Sequence, residues 1–214
     1  MKVSREQFAA NRIEMLGAAS RLFREKGFDG VGLDAVMKAA GLTHGAFYSH
    51  FRSKDDLVAQ ACAYALAGSD ESWRRATAPG AELARLYLAD DHFLNRADGC
   101  ALAALGSEVV RRSGATRRVV GKALRERVEA LAPSLPGAPS ARRERAIGTW
   151  AGLVGTLVLA RAVADGVFSK EILDAGRRLF GQPHGRAGRH RSPRGRRRVA
   201  RRVRGDKSRK PRCA

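Results

Sequence analysis

Apolar residues recur at three- and four-residue intervals almost from the start of this chain, and glycines punctuate the pattern. Ile13, Leu16, Ala19 and Leu22/Phe23 form one such stripe, which predicts a helix over residues 11–26. Gly27 supplies its stop, and Phe28 and Val31 follow it closely enough to fold back onto the stripe. Leu33, Val36, Met37 and Ala40 give a second, short helix that ends at Gly41. A third is expected over 43–51, with the hydroxyl of Thr43 as its N-cap and Phe47 and Phe51, four residues apart, on its core face. Ser53, followed by Asp56, is a capping start for a fourth helix to about residue 67, which buries Leu57, Val58, Ala61, Cys62 and Ala65.

A break is expected over 68–80, where Ala-Pro-Gly interrupts the pattern. Helices then follow over about 81–96, 100–112 and 116–131. Pro133, Pro136, Gly137 and Pro139 mark a loop, after which a long helix (about 140–165) and a shorter one (about 170–180) complete the body. No internal repeat and no strand pattern is found, so the expected fold is all-α. After Gly181 the composition turns to Arg, Gly, Pro and Ser, which cannot bury enough surface to fold alone. The division is residues 1–53, 54–181 and a basic tail, 182–214.

A helix, a glycine turn and a second helix within about twenty residues is a helix-turn-helix arrangement. The run GLTHGAFYSHFRSK from Gly41 to Lys54 carries the pattern Gly-x-x-x-Gly-x-Phe-Tyr-x-His-Phe-x-x-Lys. With it, the segment from about Asn11 to Leu57 resembles the DNA-binding domain of the TetR (tetracycline-repressor-like) family. On the third helix His44, Gly45 and Tyr48 share a face away from the two phenylalanines, near the end that enters a major groove. The resemblance places His44, Gly45 and Tyr48 at base-reading positions and Thr43, His50 and Lys54 at backbone-clamping ones; Ser49 flanks the same surface. Arg12 and Lys2/Arg5 are open to two readings, further sources of phosphate charge or a free N-terminal arm. The sequence departs from the family at Gly32, where a hydroxyl residue usually caps the second helix and holds a phosphate.

The resemblance also implies that the helices after residue 68 bind a small-molecule effector and dimerise. Residues 146–160 support part of this: Gly148, Gly152 and Gly155 permit close helix approach, and Trp150, Leu153, Leu157 and Val158 add apolar area. A symmetric interface formed with Leu173, Arg177 and Phe180 is the first reading, and an ordinary core helix the second. Tyr64, Trp73, Tyr87, His92, Phe93, Cys100 and Trp150 are candidate pocket liners, and each also suits simple packing. Cys100 is open to two readings, an oxidant sensor or a small buried hydrophobe.

Charge changes this picture at one end only. The net charge is +20, but 14 basic residues and one acid lie after Gly181, leaving 27 basic and 20 acidic residues in the body. Residues 186–212 read either as a polycationic arm that adds salt-sensitive, sequence-independent DNA affinity or as the product of a shifted reading frame. Three cysteines without framework spacing point to a reducing compartment. With no leader pattern and no apolar run long enough to span a bilayer, a cytoplasmic protein is expected. The glycines at 114 and 121 are too far apart for a phosphate loop, and His44 and His50 are too far around a helix to share a metal. No cofactor, metal or catalytic cluster is expected. The sequence therefore favours a homodimeric, ligand-released repressor on a palindromic operator in double-stranded DNA. The rival is a non-specific nucleic-acid-binding protein dominated by its tail.

Overall fold

Serine 4 begins the first helix. Its Oγ accepts from the Gln7 backbone N–H at 3.1 Å, so α1 spans Arg5–Lys26, six residues earlier than the apolar stripe alone indicates. The computed structural model describes residues 4–75 and 80–181, with the side chains of 69–75 and 80 excepted. Trp73 as a side chain and the basic tail 182–214 therefore lie outside the described residues.

Among those residues the chain is all-helical. α2 (Leu33–Ala39), α3 (His44–His50) and α4 (Lys54–Arg75) follow α1. The body contains α5 (Gly80–Tyr87), α6 (Asp90–Leu94), α7 (Ala101–Val109), α8 (Gly114–Leu131), a 3-10 turn over Ala132–Ser134, α9 (Pro139–Ala162) and α10 (Gly166–Phe180).

The turn between α2 and α3 follows from one glycine. Gly41 has φ +68°, and two backbone bonds close the end of α2 around it: Leu42 N–H to Met37 O at 2.9 Å and Gly41 N–H to Lys38 O at 3.1 Å. This is a Schellman ending, whose left-handed residue strongly favours glycine. At the start of α4, Ser53 Oγ accepts from Asp56 N–H at 3.1 Å and the Asp56 carboxylate accepts from Arg52 N–H at 3.1 Å. The capping pair expected there forms, with the return bond reaching one residue further back. α4 then continues through Gly68 to Arg75 rather than stopping near residue 67. A helical glycine costs only about 1 kcal/mol relative to alanine and does not by itself end a helix.

One core joins the N-terminal helices to the body. Met15, Ala19, Phe23, Phe28, Val31, Val36, Met37, Phe47 and Phe51 pack with Leu57, Val58, Ala61 and Cys62 of α4 and with Leu105 and Val109 of α7. Phe28 and Val31 fold back as expected, but Ile13 does not join them and is 54% exposed. The buried line runs through Met15, Ala19 and Phe23, rotated from the expected stripe by the way α4 packs on α1. A second core gathers Tyr87, Leu88, Cys100, Val128, Leu131, Trp150, Leu153 and Leu157.

The helix expected over 81–96 is two. Arg177 of α10 donates to the Leu88 carbonyl (Nε, 2.9 Å) and pairs with Asp90 at 2.6 Å, and His92 Nδ1 meets the Tyr87 carbonyl at 2.5 Å. Carbonyls at the end of α5 thus find side-chain partners, and the chain turns before α6.

Among the residues expected at a helix-pair interface, Leu157 is fully buried in the chain's own core. A Cβ on Gly152 would collide with the Phe180 ring, so these two pack α9 against α10 within one chain. Gly148 and Gly155 meet no protein atom within 4 Å of an added Cβ, and Gly148 is exposed. Among the described residues no helix is long and apolar enough to cross a membrane.

Candidate nucleic-acid interface

Seven residues make α3, and its two faces are unlike. Phe47 (1% exposed) and Phe51 at its C-cap (2%) anchor it in the first core, with stacked rings 5.7 Å apart. The opposite side presents His44, Gly45 and Tyr48 to solvent. Tyr48 is 66% exposed, and its ring is held edge-on to Phe47 at 5.1 Å and leans toward the His44 ring at 5.9 Å. The three residues expected to read bases thus form one exposed patch, fixed from below by buried phenylalanines. A Cβ at Gly45 would meet no protein atom within 4 Å, so nothing inside the chain demands glycine there.

The flanking residues differ among themselves. Thr43 occupies the N-cap position, but its hydroxyl makes no cap hydrogen bond; the Ala46 N–H goes to the Thr43 carbonyl instead, at 3.1 Å. The hydroxyl cap expected from the sequence is absent, and the exposed side chain has no role in holding the helix start. Ser49 is exposed and donates its hydroxyl to the Ala46 carbonyl at 2.7 Å, which leaves only lone pairs facing outward. Lys54 opens α4, half-buried.

His50 lies inside the domain. It is 9% exposed, its ring stacked on Phe8 of α1 at 3.9 Å. Burial lowers its pKa below the ordinary imidazole value, and the Arg12 charge lowers it further. Arg12, expected as a source of phosphate charge, donates to the His50 carbonyl at 2.5 Å, bonds the Gln60 side chain, and lies 4.7 Å from the Phe51 ring centre. It ties α1, α3 and α4 together. Arg5 stands exposed in the first turn of α1, and Lys2 lies outside the described residues.

Gly32 is the N-cap of α2 with φ −82°, a value open to any residue, and a Cβ there would meet nothing within 4 Å. The missing hydroxyl is therefore a property of the sequence and not a demand of packing.

In the body, five of the seven expected pocket residues come together. Tyr87 lies against His92 at 4.8 Å and Trp150 at 5.8 Å, and Cys100 N–H donates to His92 Nε2 at 2.9 Å. Phe93 packs on the same cluster. Burial pushes the Tyr87 hydroxyl well above its usual range. Tyr64 is 41% exposed on α4, with its hydroxyl beside Gly17 of α1. The sequence reading missed the arginines that line this cluster. Arg127 is 5% exposed, lies 5.5 Å from the Trp150 ring centre, and its carbonyl accepts the Trp150 indole N–H at 3.2 Å. Arg161 donates to the carbonyls of Phe93 (3.0 Å) and His92 (2.5 Å). An arginine on a mostly apolar helix face is the signal that was available, but it does not say which carbonyl the guanidinium will reach. Among the described residues no group of three or more His, Cys, Asp or Glu is placed to hold a metal ion.

The domain is joined to the body by a second set of polar contacts. Arg24 donates to the Gly99 carbonyl at 2.8 Å, Glu108 accepts the Phe28 N–H at 2.8 Å, and Arg112 pairs with Asp29 at 2.5 Å.

Residues 15–61 match the family model of the tetR family of bacterial regulatory proteins. A helix-turn-helix transcriptional repressor of Mycobacterium tuberculosis is 39% identical over 69 residues, which are 32% of this chain and 34% of that protein. The chain thus matches that curated relative over about a third of its length. Among solved structures, Escherichia coli NemR in its reduced form superposes with a TM-score of 0.66 at 20% identity, covering 80% of this chain and 95% of that one. A TetR-family transcriptional regulator from Cytophaga hutchinsonii gives 0.68 at 19% identity, over 84% and 96%. At such identities these structures speak for the fold alone, and they extend it across the helical body. Residues 15–61 are thus similar in sequence to the tetR family of bacterial regulatory proteins, and the helical body shares its fold with solved TetR-family structures.

Proposed function

We propose that this chain is a sequence-specific transcriptional regulator, a repressor that binds a palindromic operator in double-stranded DNA as a homodimer and leaves it when a small molecule binds the body. The observation that carries this reading is the exposed patch of His44, Gly45 and Tyr48 on a helix whose other face is locked into the core. Direct readout requires side chains that project from a rigid element into the major groove, with space for the backbone to approach. Gly45 supplies the space, while His44 and Tyr48 supply hydrogen-bonding groups. Thr43 and Lys54 flank the patch and suit phosphates, which hold the register. His50, packed against Phe8, supports the interface from within.

Dimerisation is supported by exposed apolar side chains on the last two helices: Ile147, Val158 and Leu159 of α9, and Phe168 and Leu179 of α10. Alongside Gly148 they offer a helix-pair face to a second copy. Two reading heads about one DNA turn apart multiply the specificity of one short helix. Tyr87, His92, Phe93, Cys100 and Trp150 are the proposed effector-facing group. The mycobacterial relative is a repressor, which favours that direction of control.

Selection of the full chain and of residues 1–181 on random duplexes at about 150 mM salt tests the reading, because non-specific affinity is weak there. A palindromic motif from both chains is expected. The arginine content of residues 182–214 favours one rival, sequence-independent binding through the tail. A motif from neither chain, with binding lost on removal of the tail, would establish that rival.

A further inference from the structure

Asp34 stands in the first turn of α2 with 88% of its side chain exposed, so it contributes almost nothing to packing. Its Oδ1 nevertheless lies 2.5 Å from Nδ1 of His44, across the Gly41 turn at the start of α3. An exposed pair of this kind adds little to fold stability. An acidic group beside a surface that meets phosphates also opposes non-specific binding. Its effect on His44 is specific. A carboxylate oxygen only accepts, so the proton of this contact sits on Nδ1. The ring's position is bounded by Asp34 at Nδ1 and by the Tyr48 ring 5.9 Å away. Nε2 is the one ring nitrogen left for a partner outside the protein.

We propose that Asp34 is a positioning residue for base reading: it fixes the tautomer and orientation of His44 so that Nε2 faces the groove as a hydrogen-bond acceptor. In the major groove an acceptor matches the N6 amino group of adenine or the N4 amino group of cytosine. Asp34 itself touches no base. Its contribution to specificity passes through an imidazole whose freedom it removes before DNA arrives, which lowers the ordering cost of the contact. The inference rests on the proposed reading of the chain as a sequence-specific DNA-binding protein.

The test is the same selection on random duplexes, run with the full chain, Asp34→Ala, Asp34→Asn, His44→Ala and the Asp34→Ala/His44→Ala double variant, with thermal melting as the folding control. The expected result is one symmetric pair of operator positions where the parent chain prefers adenine or cytosine and where Asp34→Ala reduces that preference about tenfold. His44→Ala should flatten the same pair of positions, and the double variant should lose nothing more there. Asp34→Asn removes the charge but keeps a group able to hold the ring, and should lose less preference than Asp34→Ala. If Asp34→Ala and Asp34→Asn instead bind every sequence more tightly and keep every preference, the acid acts only through its charge and the inference is overturned. A guanine preference at the shared position would overturn the acceptor assignment. A parent chain that enriches no motif refutes the proposed function itself, whereas a motif indifferent to Asp34 refutes only this inference.

Discussion

Two arginines three residues apart on α1 reach the same short segment of the body, and they should differ sharply in what they contribute. Arg24 is 8% exposed, its Nε donates to the Ser20 carbonyl at 3.0 Å and its Nη1 to the Gly99 carbonyl at 2.8 Å. Burial lowers its pKa, with Asp98 acting in the opposite direction. Arg21 pairs with Asp98, but both side chains are about half exposed, at 56% and 45%. Replacing Arg24 by Met keeps the apolar stem and removes the donors, so the Gly99 carbonyl is left bare in a buried site. Charged hydrogen bonds contribute about 1.5–3 kcal/mol, and release of a buried cation offsets part of the loss; the expected cost of Arg24→Met is about 2 kcal/mol. Arg21→Met should cost less than about 1 kcal/mol, since water screens an exposed pair. For a chain of this size, about 2–4 °C of melting temperature corresponds to each kcal/mol. Arg24→Met should therefore melt about 4–8 °C below the parent, and Arg21→Met within about 3 °C of it. Calorimetry or circular dichroism at one fixed protein concentration measures both, since association would otherwise shift the midpoints. If the two variants melt together, or if Arg24→Met melts with the parent, the buried contact between domain and body does not carry the stability assigned to it.

Glycines at 41 and 45 give opposite expectations. Gly41→Ala meets no steric obstacle but retains φ +68°, and should cost about 1–2 kcal/mol in chemical denaturation. Gly45→Ala, inside α3 and equally free of contacts, should stabilise by about 0.5–1 kcal/mol yet weaken operator binding, because its methyl group would stand where DNA approaches. Acid should destabilise the fold before carboxylates become involved. His50 and His92 both have pKa values lowered from 6.5, chiefly by burial, so below pH 6.5 the unfolded chain takes up protons that the folded chain refuses. Stability should be present near pH 7 and fall as pH drops through 6.5 toward the folded values; a melting temperature unchanged between about pH 7 and pH 5.5 would refute this. Asp29, Asp56 and Asp174, lowered from 3.8, lose their contributions only at lower pH. Cys62, whose thiol is pushed up to about 12 by burial, should resist alkylation at pH 8 in the folded chain, as peptide mass analysis would show.

Much of the reading domain was legible in the sequence because its determinants are local. Gly41 at positive φ, the Ser53/Asp56 cap and the four-residue spacing of Phe47 and Phe51 act within one or two helical turns. Those spacings separate the core face of α3 from the face of His44, Gly45 and Tyr48. The start of α1 was legible too: Ser4 with Gln7 three residues on is a capping pattern, although the apolar stripe drew the boundary later. Other features depended on partners brought from far along the chain. Ile13 stays exposed while Met15 is buried, since periodicity says which residues share a face but not which neighbour arrives to cover it. Whether His50 points outward depends on Phe8, forty-two residues earlier, and the split between α5 and α6 depends on Arg177 taking the Leu88 carbonyl. Gly152 serves the Phe180 ring of its own chain, a choice that small-residue spacing leaves open. The helices of the N-terminal domain, the glycine stops at 27 and 41 and the chemistry carried on α3 were written in the sequence, because those follow from backbone propensities and short-range periodicity. Only the tertiary structure decided which arginines bind carbonyls, which histidine packs and which one Asp34 holds, because those contacts join residues whose separation along the chain encodes no distance in space.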